Sequence, residues 1–179
     1  MNRALLVLPL IALAACTAAP AQDPAPQPQP TTPPARTTTA QAPGTPPPAP
    51  EPSADGQCPY LESAEVADAN GQRVGGVKIS DGKPPSCFFY RSDGSLQLSV
   101  RVFTGEPALA EAVVDEAAPV ATSNPATAPA GWEGGSLAGD DGAVYAVAKG
   151  GTAVVVTSNQ EQTIKARRIT ESVIESLGL

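Results

Sequence analysis

The clearest structural signal in the sequence is Ala143-Val144-Tyr145-Ala146-Val147-Ala148-Lys149-Gly150-Gly151-Thr152-Ala153-Val154-Val155-Val156-Thr157. Two runs rich in valine flank a pair of glycines, and valine is enriched in strands. Glycine suits a two-residue turn because it tolerates positive φ. The stretch therefore predicts a β-hairpin with strands over residues 143–148 and 152–157.

Further strands are predicted on the N-terminal side of this hairpin. Residues 87–90 read Cys-Phe-Phe-Tyr, a continuous aromatic run, and residues 96–102 alternate apolar and polar side chains at a period of two. The Arg-Ser-Asp-Gly segment 91–94 between them is typical of a hairpin turn. Residues 74–80 give a weaker strand signal.

Helices are predicted on both sides of these strands. A short helix over residues 59–69 ends at Asn70-Gly71, a good C-terminal cap pair. A second helix begins at Pro107 and ends before Pro119, because proline suits the first turn of a helix and not its interior. Residues 123–142 are predicted to form a long loop.

The last helix is predicted from a capping box, in which Asn159 and Gln162 satisfy the first free N–H groups. Its buried stripe consists of Ala166, Ile169, Val173 and Leu177. Runs of strands between separate helices favour an α+β fold. We expect an antiparallel sheet of about four to five strands, with two to three helices packed mainly on one face, in one domain over residues 58–179.

The N-terminus carries a targeting signal. Arg3 precedes an apolar run over residues 4–12, and Leu13-Ala14-Ala15-Cys16 follows. The run is shorter than the roughly 20 residues a membrane-spanning helix needs, so it reads as a cleavable signal. The cysteine favours a lipoprotein signal peptide over residues 1–15, with a diacylglyceryl group on Cys16; the alternative is an ordinary signal peptide with a chance cysteine. We expect a lipid-anchored, extracytoplasmic protein on the outer face of the cell membrane.

Residues 16–57 are predicted to form a disordered tether. Thirteen prolines lie between residues 17 and 57, together with Ala, Thr and Gln and with no aromatic residue, Val, Ile or Leu. Such a segment has too little apolar surface to offset its ordering entropy. Proline favours an extended polyproline II rod with a reach on the order of 100 Å. A plain spacer is favoured over an O-glycosylated stalk or a ligand for proline-binding domains.

Charge and cysteine content narrow the function classes. Residues 57–179 contain nine Lys and Arg against fifteen Asp and Glu, which argues against nucleic acid as a partner. Cys58 and Cys87 would share an oxidising compartment, so a structural disulfide is favoured over a redox or metal role. A CxxC spacing is absent and the chain has no histidine. We expect a monomer.

The sequence offers little apparatus for catalysis. Without histidine it lacks the usual near-neutral base, and Ser136 lacks the spacing of a nucleophile elbow. Asp140-Asp141-Gly142 is read as a solvated turn in preference to a calcium site. We therefore expect no catalytic residue, no cofactor and no metal.

Two features are candidates for binding. Trp132, the only tryptophan, and Glu133 lie in the predicted long loop, and tryptophan is enriched at binding hot spots. The favoured alternative is that the ring folds back onto the sheet as a lid. Lys165, Arg167 and Arg168 form a basic patch on an acidic domain; the favoured alternative is the solvated face of a helix.

Several short segments of the domain form a recognisable pattern: Cys58-Pro59-Tyr60-Leu61, Asn70-Gly71-Gln72-Arg73-Val74, Cys87-Phe88-Phe89-Tyr90, Trp132-Glu133-Gly134-Gly135, Tyr145-Ala146-Val147 and Asn159-Gln160. Together they resemble a family of uncharacterised actinobacterial secreted lipoproteins that share a domain of unknown function. The resemblance covers nearly all of residues 57–179. It implies an envelope protein and agrees with the paired cysteines, but it carries no assigned activity.

Two function classes remain open. The first is a non-catalytic binding or accessory module that engages an envelope protein or a cell-wall component through the Trp132 loop and the sheet edge. The second is a carrier of a lipid or small hydrophobic molecule, which would need some hundreds of cubic ångströms of apolar space. The many alanines of the domain suggest a compact core, so we expect the binding module.

Overall fold

A computed structural model describes residues 44–179. The predicted signal peptide, the predicted lipidation site at Cys16 and the predicted tether as far as residue 43 lie outside the described residues. No helix of residues 44–179 combines the length and the apolar character needed to cross a membrane.

The centre of the domain is one antiparallel sheet of eight strands. The strands are β1 Ala54–Asp55, β2 Gly76–Ile79, β3 Cys87–Tyr90, β4 Leu96–Thr104, β5 Asn124–Ala126, β6 Glu133–Gly139, β7 Gly142–Lys149 and β8 Thr152–Ser158. Their order across the sheet is β1-β2-β3-β4-β8-β7-β6-β5. The α+β class is confirmed, but the expected four to five strands were too few.

Three helices cover the sheet: α1 Ser63–Asn70, α2 Pro107–Ala117 and α3 Thr163–Leu177. Successive residues of a strand point to opposite faces, and β8 divides in this way between two apolar clusters. Val154 and Val156 pack with α1 and α3, whereas Ala153 and Val155 pack with α2. Two of the three helices therefore share one face, and α2 covers part of the other.

The predicted hairpins define the middle of the sheet. The β7–β8 hairpin turns at Gly150, which has a φ of 56°, and extends each predicted strand by one or two residues. Strand β8 also pairs with β4 along seven residue pairs, from Leu98 with Ser158 to Thr104 with Thr152. The last strand of the chain therefore joins the two halves of the sheet.

The predicted helix boundaries need two corrections. Helix α1 begins at Ser63 and not at residue 59, because Tyr60 and Leu61 are buried in the core as an irregular segment; it ends as predicted before Gly71, which has a φ of 71°. The capping box of the last helix is wrong. Gln162 precedes α3 without a side-chain cap, and the Asn159 side chain bonds to Gln72 instead.

The disulfide between Cys58 and Cys87 is confirmed, with 5.6 Å between the two Cα atoms. It fastens the segment before α1 to strand β3. The end of the predicted tether lies on the domain: Ser53 and Gly56 donate backbone hydrogen bonds to β2, and Ala54–Asp55 pair with it as β1. Residues 44–57 are therefore part of the folded domain and not of a free linker.

Candidate binding groove

The described residues form an open groove with a volume of about 1150 Å³. It lies between α2 and the edge formed by β5 and β6, and we call it the groove. Its apolar lining comes mainly from the end of α2 and from the edge strand, namely Ala112, Val114, Ala118, Pro119, Val120, Pro125 and Ala126. Val120 has an exposed fraction of 86%.

Glycines of β6 bring α2 close to the sheet and so shape the groove. A Cβ atom at Gly134 would meet the Ala146 carbonyl of β7 first and would also lie 2.9 Å from Val114 Cγ1, and one at Gly135 would lie 2.9 Å from the Ala118 Cβ. Both distances are shorter than normal carbon contacts, so only glycine allows this approach. Past the end of α2 the chain turns outward, and Asp115 Oδ1 accepts a hydrogen bond from the Val120 N–H at 3.0 Å.

Acidic side chains dominate the polar part of the groove. Four carboxylates line it, those of Glu111, Asp115, Glu116 and Glu133, against one ammonium, that of Lys149. Glu116 lies 3.7 Å from Arg101. The other three carboxylates form no salt bridge within residues 44–179. The groove is therefore suited to a partner that carries positive charge beside apolar groups.

The side chains of Trp132 and Glu133 lie in different places: Trp132 directly precedes β6, and Glu133 is the first residue of that strand. The Trp132 ring is 2% exposed and belongs to the core under α1 and α3. Glu133 is exposed and lines the groove. The ring therefore contributes to the core, as in the lid alternative, and only its neighbour reaches the groove. Lys149 Nζ lies 5.9 Å from the ring centroid.

The three residues of the predicted basic patch each bind a neighbour on the domain. Lys165 Nζ donates to the Asn70 carbonyl at 3.1 Å and to Gln160 Oε1 at 3.0 Å. Arg167 Nε lies 2.8 Å from Glu171 Oε1, and this hydrogen bond raises the pKa of the arginine. Arg168 pairs with Asp68 at 3.1 Å. The patch is thus a set of local ion pairs and helix contacts.

A buried polar junction, which sequence reasoning missed, fastens α1 to the ends of β4 and β8. Ser158 Oγ donates to Asn70 Oδ1 at 2.7 Å, and Asn70 Nδ2 donates to the Gln97 carbonyl at 3.3 Å. Asn70, Gln97 and Ser158 are each 1% exposed. Among residues 44–179 every buried side-chain polar atom has a partner, so this junction is a satisfied structural network.

The remaining chemical candidates have ordinary structural places. Ser136 Oγ donates to the Asn124 carbonyl between β6 and β5. Asp140 and Asp141 lie in the tight turn between β6 and β7. In the described part of the chain no three His, Cys, Asp or Glu side chains are grouped so as to hold a metal ion.

Comparison with family models gives one match, which covers residues 41–179 and is described as "Domain of unknown function (DUF2020)". The chain belongs to the DUF2020 family. The domain-of-unknown-function part of the predicted resemblance is thereby confirmed. No curated protein matches the chain.

The family match includes the segment before residue 58 that the structure places on the domain. The match starts at residue 41, well before the predicted domain start at residue 58. Gly44 and Pro46, from the N-terminal part of the match, line the groove together with α2. Residues 44–57 are thus a structural part of the DUF2020 domain, and two of them contribute to the groove lining.

Proposed function

We propose that the DUF2020 domain of this chain is a non-catalytic binding module that holds a segment of a partner protein of the cell envelope in the groove. Lipid on Cys16 would tether the module to the outer face of the membrane. The observation that carries the proposal is the groove itself: about 1150 Å³ of open space with apolar walls and carboxylates along it. Binding sites combine these features, a mostly apolar lining with a few placed polar groups.

Charge selects the kind of partner. Glu111, Asp115 and Glu133 have no salt-bridge partner among residues 44–179, and opposite charge across an interface favours correct encounter and orientation. A segment that alternates Lys or Arg with aliphatic residues would place its apolar side chains against Val114 and Val120 and its charges against the carboxylates.

A defined peptide tests this proposal. A fluorescent peptide of alternating lysine and leucine is expected to bind the full chain, as measured by anisotropy, and a glutamate–leucine peptide is not. Replacing Glu111→Lys and Asp115→Lys together should weaken lysine–leucine binding at least about tenfold, or about 1.4 kcal/mol. Higher salt should weaken it as well, because exposed charges are screened.

A matched control distinguishes local from global charge. Glu175→Lys makes the same change of charge as Glu111→Lys alone, but on α3, which covers the opposite face of the sheet. It should leave the peptide affinity unchanged, whereas Glu111→Lys alone should weaken binding. Equal loss in Glu175→Lys, or equal binding of both peptides, would contradict the groove as the site.

A lipid or small-molecule carrier is the second candidate, because the volume of the groove exceeds the some hundreds of cubic ångströms that such a ligand needs. The carboxylates disfavour an anionic lipid. Organic extraction of protein purified from its native membrane, followed by lipid mass spectrometry, decides between the two. Stoichiometric lipid that Val120→Glu removes would favour the carrier.

The tether has its own test. Intact mass spectrometry of the mature protein from its native membrane should show a chain that begins at Cys16 and carries a diacylglyceryl group. A chain that begins elsewhere without lipid would contradict the anchoring, and it would leave the peptide experiment untouched.

A further inference from the structure

The sheet face that carries α2 is only partly covered by that helix, and a proline-rich strap crosses the remaining part. The strap consists of residues 44–53 and contains Pro46, Pro47, Pro48, Pro50 and Pro52. No residue from 44 to 57 is buried. Prolines lack an N–H and hold φ near −65°, so such a run presents its carbonyl groups outward. The strap therefore lies on the domain in the manner of a bound peptide.

The surface beneath the strap, which we call the seat, is lined by Phe88, Ser99, Arg101, Val155 and Thr157 of three neighbouring strands. A cavity of about 280 Å³ remains beside Ala49 and Pro50. The strap therefore does not fill its seat. Close packing is what gives core contacts their strength, so this contact is weaker than those of the core.

The Arg101 side chain donates hydrogen bonds to backbone carbonyl groups of the strap. One guanidinium nitrogen of Arg101, Nη2, donates to the Pro47 carbonyl at 2.7 Å and approaches the Pro48 carbonyl at 3.4 Å. Nη1 faces Glu116 at 3.7 Å, and the arginine side chain is only 15% exposed. A partly buried guanidinium needs acceptors, and a row of proline carbonyls, with no competing N–H groups, supplies them.

The chain limits how far the strap can detach. Ser53 donates to the Ile79 carbonyl, and β1 pairs with β2 over two residues. The disulfide at Cys58 then fixes the chain to Cys87, the residue next to Phe88 of the seat. A strap that leaves its seat therefore remains attached to β2 through Ser53 and β1, and the hinge lies before Ser53.

We propose that the seat accepts the strap of a second copy of this chain, so that two copies exchange straps and form a closed dimer. The structure shows one sequence seated there, and a second copy carries the identical sequence. Exchange preserves every contact of strap and seat and is reciprocal, as in a two-fold symmetric interface. This inference does not rest on a partner in the groove.

The protein concentration controls whether straps are exchanged. The strap of the same chain has an effective concentration on the order of millimolar, so it occupies the seat in dilute solution. Exchange is then expected only when the protein concentration approaches the same range. Copies confined to one membrane surface would reach it.

Introduced thiols test the exchange. In a chain with Cys16→Ser, one variant carries Ala49→Cys in the strap and the other carries Thr157→Cys in the seat; both positions line the same cavity. The two variants are mixed at micromolar and at about millimolar concentration, oxidised gently, and separated on a nonreducing gel. We expect a covalent heterodimer that increases severalfold at the higher concentration.

Three controls make the result decisive. Glu171→Cys on α3, used in place of Thr157→Cys, should give no heterodimer, and the chain with both Ala49→Cys and Thr157→Cys should close a bond within itself when dilute. Arg101→Lys in the seat variant should reduce the heterodimer, because an ammonium lacks the planar fork of the guanidinium. A heterodimer yield equal to that of the Glu171→Cys control would overturn the proposal. So would equal capture of a thiol-labelled decaproline peptide, which would assign the seat to proline-rich segments in general.

Discussion

The buried ring of Trp132 allows a sharp test of whether the loop before β6 serves the core or binds a ligand. Its side chain is 2% exposed and packs in the cluster under α1 and α3. Truncating a buried aromatic side chain to alanine costs about 3 to 5 kcal/mol. For a domain of this size each kcal/mol lowers Tm by about 2 to 4 °C, so Trp132→Ala should lower Tm by roughly 6 to 20 °C.

Far-UV circular dichroism is the appropriate assay, because the substitution removes the only tryptophan fluorophore. The matched control is Glu133→Ala, the next residue, which is exposed in the groove. It should change stability by no more than about 0.5 kcal/mol and should weaken binding of the lysine–leucine peptide. Trp132→Phe should keep that binding. The reasoning fails if Trp132→Ala costs less than about 1 kcal/mol while Trp132→Phe abolishes peptide binding.

Three further predictions concern stability and titration. Reducing the disulfide, whose cysteines are 29 residues apart, should cost about 3 to 4 kcal/mol in urea unfolding; an unchanged midpoint would contradict this. Gly142 has a φ of 125°, and a Cβ there would meet the Ser158 carbonyl, so Gly142→Ala should lower the free energy of unfolding by at least about 1 to 3 kcal/mol. Gly139→Ala, across the same turn and with nothing within 4 Å, should cost clearly less, and equal losses would refute the steric argument. Ser95 donates hydrogen bonds to Asp93 and, with help from Arg91, lowers the pKa of that carboxyl. A depressed pKa stabilises the fold above the unfolded pKa, and this contribution is lost as the pH falls through the folded value. Ser95→Ala should therefore raise the Asp93 pKa in an NMR titration, and no change would show that the hydrogen bonds are not its cause.

The sequence predicted the strands that have a strong strand pattern in their own residues and in the adjoining turns. Strand β3 was predicted with its observed bounds, and β7 and β8 to within one or two residues, because valine-rich runs and turn glycines act locally. Strand β6 was missed. Its Glu-Gly-Gly-Ser segment has weak strand propensity, and β6 forms because seven of its residues pair with β7 while its glycines admit α2.

The candidate site could likewise be predicted only where a local pattern marks a residue, and not where residues from distant parts of the chain come together. Glu133 was named from the sequence together with Trp132, but which of two adjacent residues faces the groove depends on the strand that the sequence did not reveal. Residues far apart along the chain produce the groove: it unites Gly44 with α2, β5 and the β7–β8 turn. No single window of the sequence contains that combination.

The position of β8 has a consequence for how the molecule is assembled during synthesis. Strand β8 lies between β4 and β7, so before it is made the chain can build only two half-sheets, β1 to β4 and β5 to β7. Each half ends in a long strand with unpaired hydrogen-bonding groups, which is the kind of edge that invites aggregation. A chain that ends before Thr152 would leave β4 and β7 as exposed, aggregation-prone edges. The seven residues of β8 pair with both strands and cover both edges. The edges of β4 and β7 are thus covered late in synthesis and in one step, by the same strand.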